Sequence, residues 1–348
     1  MAPSTGRAGQ NSAEGRPGGR ARMEDVARIA GVSQMTVSRA LRSPETVSAA
    51  TRRRVAEAIA AVGYLHNRIA GGLAADRTSI VGLVATTLKN PLLASVVQGV
   101  CDAIAHTGYQ LMLGMAESIE DEEQVIRDFL SYRPAAILLH RTMHTKVART
   151  LLKASGIPVV EIGNLVARPI DLVVSFSNFD AAERMTRYLA TKYGQVGYVG
   201  MRSEGDERFK ARRRGYLAAL REAGIAAEPE RMLELPSAGP GGGGDALVTL
   251  LAARPDTRAV FFAGGAFASD ALAECRRRGW AVPGRLAIAG FDDYESVFPS
   301  MAAITAVRVP RYEIGRRATE VALARLRGEA GIPRRTEFTF EIIPRETA

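Results

Sequence analysis

Cysteine is nearly absent: the 348 residues contain two, Cys101 and Cys275. Two thiols so far apart build neither a disulfide framework nor a metal cluster. Each lies in a helix-like apolar pattern and reads as a small buried or half-buried hydrophobe. No apolar run is long enough to span a membrane. The first 22 residues, MAPSTGRAGQNSAEGRPGGRAR, lack the apolar centre of a secretory signal and are rich in Gly, Arg and Ser. They are expected as a disordered basic tail, and the protein as cytoplasmic and reduced. Catalytic motifs are missing too. There is no Gly-x-Ser-x-Gly elbow and no spaced Ser, His and Asp set. Residues 241–244 are a glycine run without the Lys and Ser/Thr of a phosphate loop, and read as a flexible surface loop. His140 and His144 stand four apart, but Arg141 holds the place of a zinc-protease glutamate. No enzyme activity, metal or cofactor is expected.

What is present is an uneven charge. The chain carries a net charge of +9. Residues 1–77 hold 12 Arg, no Lys and 6 acids, a local excess of 12 − 6 = +6. A basic pole on one small domain suits a polyanionic partner. The length fits a small domain plus a large one.

Residues 24–74 read EDVARIAGVSQMTVSRALRSPETVSAATRRRVAEAIAAVGYLHNRIAGGLA. A short apolar pattern (Val26, Ala27, Ile29, Ala30) stops at Gly31, which takes positive φ without steric cost. A second helix starts at Ser33, a good N-cap, and turns Val37 and Leu41 inward. Gln34, Met35, Ser38 and Arg39 are left outward. This is the layout of a helix-turn-helix, whose second helix enters the DNA major groove.

The ordered string Asp25-Val26-Ala27, Ala30-Gly31-Val32-Ser33, Thr36-Val37-Ser38-Arg39, Val47-Ser48, Thr51-Arg52, Gly63-Tyr64 and Asn67-Arg68 resembles the DNA-binding headpiece of the LacI/GalR family. Gln34 can pair with adenine, and Met35 offers an apolar face to a thymine methyl. Ser33, Thr36, Ser38, Arg39, Ser48 and Thr51 are placed to hold phosphates, which fixes register without choosing sequence. The resemblance implies a hinge helix over 67–74 that contacts DNA from Asn67 onward and wedges Leu73 between base steps in the minor groove. Gly71-Gly72 beside it disfavour helix by about 1 kcal/mol each, so this hinge is expected to fold only on DNA.

Beyond residue 78, apolar strand patterns (80–85, 110–114, 136–139, 159–162, 172–176, 196–200, 259–263, 286–291) alternate with amphipathic helix patterns such as 91–105, 122–130, 181–193 and 209–223. Continuous apolar strands separated by helices mean doubly wound parallel sheets. The expected organisation is a tail over 1–22, an all-α headpiece over 23–66, a hinge over 67–77 and an α/β effector-binding and dimerisation body over 78–348. The family's regulatory domain, which is similar to a periplasmic sugar-binding protein, implies two lobes: 78–177 with 307–332, and 178–306 with 333–348. The strand ends of facing lobes define a ligand cleft.

The resemblance also implies cleft residues. Arg212, four before Tyr216, matches a ligand-gripping arginine whose planar fork suits a carboxylate or vicinal hydroxyls. Asp292, ending a strand, matches an acceptor for sugar hydroxyls. Asn90, Leu92 and Leu93 open a helix toward the same cleft, and helix N-termini favour anions. Gly264-Gly265 stand where relatives often carry Asn-Asp. The segments 138–145 and 156–161, with Met35-Thr36 and 42–45, are similar to the gluconate-operon repressors of the family. That implies Arg141 and His144 facing the cleft and a sugar or sugar-acid effector. The expected protein is a ligand-responsive repressor, a homodimer on palindromic double-stranded operator DNA. A sugar-binding or sugar-processing α/β protein without gene regulation is the alternative, which the headpiece disfavours.

Overall fold

A computed structural model describes residues 21–65, 77–88, 90–202, 206–236, 241–264, 266–296 and 303–348. The chain divides into two compact units at Gly71–Gly72, inside the expected linker. Asn67, Leu73 and the basic tail up to residue 20 lie outside the described residues.

The headpiece has helices α1 (Met23–Ala30), α2 (Gln34–Arg42) and α3 (Ala49–Val62). Gly31 ends α1 at φ 61°. Ser33 caps α2, its Oγ accepting from the Thr36 amide at 3.2 Å. Ser48 caps α3 in the same way through Thr51, also at 3.2 Å. Val26, Ala27, Ala30, Val37, Val55 and Ala58 make the small core. Ile29, counted in the apolar stripe of α1, is instead 48% exposed. Its neighbours at i−3 and i+1 already fill the inward face of a two-turn helix.

The body holds two six-stranded sheets. The first orders as β11 (Arg335–Glu337), β5 (Leu172–Ser175), β4 (Val159–Glu161), β3 (Ala136–Leu139), β1 (Ile80–Ala85) and β2 (Gln110–Met115). The second orders as β12 (Glu341–Ile343), β10 (Thr305–Arg308), β9 (Ala287–Phe291), β8 (Ala259–Phe262), β6 (Val196–Met201) and β7 (Met232–Leu235). Every pairing is parallel except β10 with β12. Helices α4 (Leu93–Ile104), α5 (Ile119–Ser131), α6 (Lys146–Ala154) and α11 (Arg311–Leu326) go with the first sheet. Helices α7 (Asn178–Tyr193), α8 (Glu207–Glu222), α9 (Gly242–Ala253) and α10 (Phe267–Arg278) go with the second. The β3, β5, β8 and β9 strands are buried along their whole length, as expected of strands covered on both faces. Phe176 meets Phe291 across the lobe boundary, ring centroids 6.1 Å apart.

Two expectations need correction. Strand β10 lies in the second sheet and β11 in the first. The chain therefore enters the first lobe at Val309–Pro310 and leaves it after Glu337, not at 307 and 332. Polar strands such as Arg335-Thr336-Glu337 carry no apolar run to mark them. The glycine run at 241–244 is no loop: Gly241 is the N-cap of α9, and Gly243 and Gly244 are buried. A Cβ on Gly243 would stand 2.1 Å from the Phe267 carbonyl oxygen, so glycine lets α9 lie directly on the start of α10. Among the described residues, no helix is long and apolar enough to cross a membrane.

Candidate functional site

On the headpiece, Gln34, Met35 and Arg39 are exposed on one face of α2, Met35 by 70%, while Val37 opposite them is fully buried. Ser38 is half-buried beside them. The first turns of α2 and α3 each present a hydroxyl pair: Ser33 with Thr36 at 3.0 Å, and Ser48 with Thr51 at 2.9 Å. These hydroxyls flank the helix N-termini that they cap, where the remaining backbone amides and the helix dipole favour phosphate.

In the body, the carboxyl ends of β1, β3, β6, β8 and β9 face a cavity of about 300 Å³. Thr86, Asn90, Leu93, His140 and Arg141 reach it from the first lobe, with Arg311 from α11. Asp206, Arg208, Phe209, Arg212, Asp292 and Tyr294 reach it from the second.

Arg212 is 4% exposed. Its Nε donates to Asn178 Oδ1 at 2.8 Å and its Nη1 to the Ala263 carbonyl at 2.7 Å. Its guanidinium lies 3.5 Å from the centroid of the Phe291 ring. Two bonds and a stack hold the fork in one plane and leave Nη2 for a ligand. Burial pushes its pKa down to about 10, so it stays cationic at neutral pH.

Asp292 follows β9 at φ 77°, a left-handed conformation that asparagine and aspartate enter more readily than most residues. Its carboxylate accepts from Arg311 and, at 3.4 Å, from Asn90 Nδ2. Burial raises its pKa, but Arg311 and Arg212 override this and hold the carboxyl below its usual value. Asn90 Oδ1 accepts from the Leu92 amide at 3.0 Å, which shapes the turn into α4.

Further cavity groups escaped sequence reasoning, Arg311 and Tyr294 as well as Arg208, Asp206, His140 and Phe209. Arg208 donates to Asp206 through Nε at 3.0 Å and Nη2 at 2.5 Å. It also crosses to the first lobe, with Nη1 3.2 Å from His140 Nε2 and Nη2 3.4 Å from Thr86 Oγ1. Burial opposes the charge on Asp206, yet the Arg208 pair keeps its carboxyl well below the usual range. Burial, then Arg208, push the His140 pKa well down, so His140 is a neutral imidazole. Phe209 closes the side left open by Gly264: a Cβ there would lie 2.7 Å from its ring. The alternation of α8 could have exposed Arg208, which sits one turn before Arg212. Gly265 lies outside the described residues.

Arg141 is 7% exposed and lines the cavity, its Nη2 donating to the main-chain oxygens of Ala116 and Glu117. Two expected residues go elsewhere. Leu92 lines a separate groove of about 530 Å³ beside the crossover segments, with Val309 and Phe338. Adjacent residues on a helix point about 100° apart, so only Leu93 turns to the cavity. His144 is buried behind the cavity wall, Nδ1 2.7 Å from Glu122 Oε2 and Nε2 3.2 Å from Glu161 Oε1. Two carboxylates draw the ring into the lobe, and His140 occupies the cavity instead.

Among the described residues, four guanidinium groups (Arg141, Arg208, Arg212, Arg311) and three carboxylates (Glu117, Asp206, Asp292) line the cavity. Among the described residues, and with His140 neutral, the lining carries a surplus of 4 − 3 = +1. An anion with several hydroxyls matches this set: guanidiniums for its charge, Asp292 and Asn90 for its hydroxyls.

Residues 22–67 match the profile of bacterial regulatory proteins, lacI family, and residues 186–348 that of a periplasmic binding protein-like domain. The HTH-type transcriptional regulator GntR of Pseudomonas aeruginosa is 32% identical over 340 residues, 97% of this chain and 98% of that protein. The chain belongs to the LacI family of bacterial regulatory proteins. The GntR regulator of Escherichia coli K12 is likewise 32% identical, over 92% of this chain and 97% of its own. A crystal structure of a LacI-family regulator from Silicibacter pomeroyi superposes with a TM-score of 0.85 at 31% identity, covering 94% of this chain and 99% of that one. As a LacI-family member, the chain is a helix-turn-helix transcriptional regulator with a two-lobed α/β body.

Proposed function

We propose that this regulator is a repressor that binds a palindromic operator as a homodimer in the cytoplasm and changes its grip when a small sugar acid, gluconate-like, fills the cavity between the lobes. One observation carries the effector half: a cavity between the lobes whose described lining sets four guanidiniums against three carboxylates, on a chain that also carries a helix-turn-helix. In this reading Arg212 and Arg141 take the carboxylate, and Asp292, oriented by Arg311 and Asn90, takes hydroxyls. Gln34 and Met35 read base edges. Ser33, Thr36, Ser38, Arg39, Ser48 and Thr51 hold phosphates. Residues 67–74 fold on the minor groove with Leu73 as the wedge. The ligand is held and not transformed.

The cavity is walled by both lobes, so a ligand that touches both favours one lobe arrangement over another. Only that difference in affinity reaches the DNA; equal binding to both states shifts nothing. Couplings of this kind are about 1–3 kcal/mol. Gel shift of the full chain on candidate inverted-repeat sites, with and without D-gluconate, tests the proposal. A salt-sensitive complex altered by gluconate supports it. A complex indifferent to every sugar acid tried refutes it.

A further inference from the structure

Loop 140–145 runs from the end of β3 to the start of α6 and carries His140 and Arg141 to the cavity. Its first residue is tied to the sheet, the His140 amide donating to the Val84 carbonyl at 2.9 Å. Its last residue, Thr145, caps α6 and donates from Oγ1 to Glu123 Oε2 at 2.5 Å. Between these ties stands His144, with its side chain wholly buried. One ring nitrogen faces Glu122, in the first turn of α5, and the other faces Glu161, the last residue of β4. Glu161 is itself fixed, accepting the Ile170 amide at 2.7 Å. An imidazolium donates from both ring nitrogens and so satisfies both carboxylates at once. A neutral ring would turn a lone pair toward one buried carboxylate.

The same α5 junction receives Arg141, whose guanidinium donates to the carbonyls of Ala116 and Glu117. His144 and Arg141 therefore tie one loop to one helix start, three residues apart. We propose that the buried Glu122–His144–Glu161 clamp is a positioning site for the effector cavity, holding Arg141 where it meets the carboxylate of a sugar acid. This rests on the effector reading above. His144 acts through Arg141 and touches no ligand. The groups facing it are Glu122 from α5 and Glu161 from β4, with Glu123 and Arg141 nearby. Burial lowers the His144 pKa, but the bonds to Glu122 and Glu161 win and raise it to about 9.

The test is calorimetric titration of D-gluconate into the full chain: wild type, His144→Gln and Glu122→Gln. The glutamine amide can donate to one carboxylate only. His144→Gln is expected to weaken gluconate binding at least tenfold at pH 7, with ligand-free operator affinity changed less than twofold. Wild-type affinity is expected to fall as pH rises through about 9, and His144→Gln to lose that step. In Glu122→Gln one carboxylate no longer supports the charge, so the step moves to lower pH; this variant carries the test if His144→Gln does not fold. A step near pH 10 shared by all three belongs to Arg212. Wild type that binds gluconate alongside variants matching it within twofold, with an unmoved step, overturns the clamp alone. Wild type that binds no gluconate overturns the effector reading and the clamp with it.

Discussion

Arg212 is the residue on which the effector assignment can be tried hardest. Arg212→Ala removes two internal bonds, to Asn178 at 2.8 Å and to the Ala263 carbonyl at 2.7 Å, and leaves both acceptors buried. At about 1–3 kcal/mol for each of the two orphaned acceptors, the body loses roughly 2–6 kcal/mol of stability. The ligand loses a charge-assisted bond of about 1.5–3 kcal/mol, which is roughly tenfold to over a hundredfold in affinity. Arg212→Lys separates the two effects. Lysine keeps the charge, but it cannot satisfy both acceptors and stay flat on Phe291. Calorimetry with D-gluconate should then rank wild type, Lys and Ala in falling affinity. Thermal unfolding, run in parallel, should place both variants below wild type. Ligand-free operator binding should persist in both at a temperature where the body is folded. Gluconate affinity in Arg212→Ala within threefold of wild type would refute the reasoning.

Other outcomes follow from the same structure. Gln34→Ala should relax sequence preference at one base pair by about 1–3 kcal/mol, read by competition among single-site operator variants; equal weakening at all positions would make Gln34 a phosphate contact. Gly243→Ala places a Cβ 2.1 Å from the Phe267 carbonyl oxygen, a backbone atom. It should cost about 1–3 kcal/mol or more in thermal unfolding; an unchanged midpoint would mean α9 does not lie that close to α10. The folded His144 pKa of about 9 exceeds the ordinary 6.5. Its contribution to stability is therefore complete below about pH 6.5 and is lost as pH rises through about 9. Urea unfolding of wild type should show that decline and His144→Gln should not.

The headpiece was legible because its signals are local. Ser33, Gly31 and Ser48 set caps and turns within four residues, and each sits in the structure where its chemistry requires. The buried strands were legible because β3, β5, β8 and β9 are runs of apolar residues. Three edge strands, β7, β11 and β12, and the inner strand β10 were not: each carries a charged residue that apolar strand patterning does not mark. The glycine run of α9 misled because glycine there serves close packing, which only the neighbour Phe267 reveals. In the cavity, Arg212 and Asp292 came through the family resemblance. Arg208 and His140 did not, since their partners are remote in sequence: Thr86 and Arg208 lie 122 residues apart. The resemblance placed His144, not His140, at the cleft, and the structure reverses the two. Glu161 at the end of β4, fixed by the Ile170 amide, and Glu122 in the first turn of α5 decided its place.

Fluorescence anisotropy of a labelled inverted-repeat operator, titrated with the full chain at fixed salt with and without saturating D-gluconate, addresses the central claim most directly. A shift in operator Kd of about 5–150-fold, absent in Arg212→Ala, is the expected result. Calorimetry that shows gluconate bound, beside an operator Kd that does not move, would contradict the account.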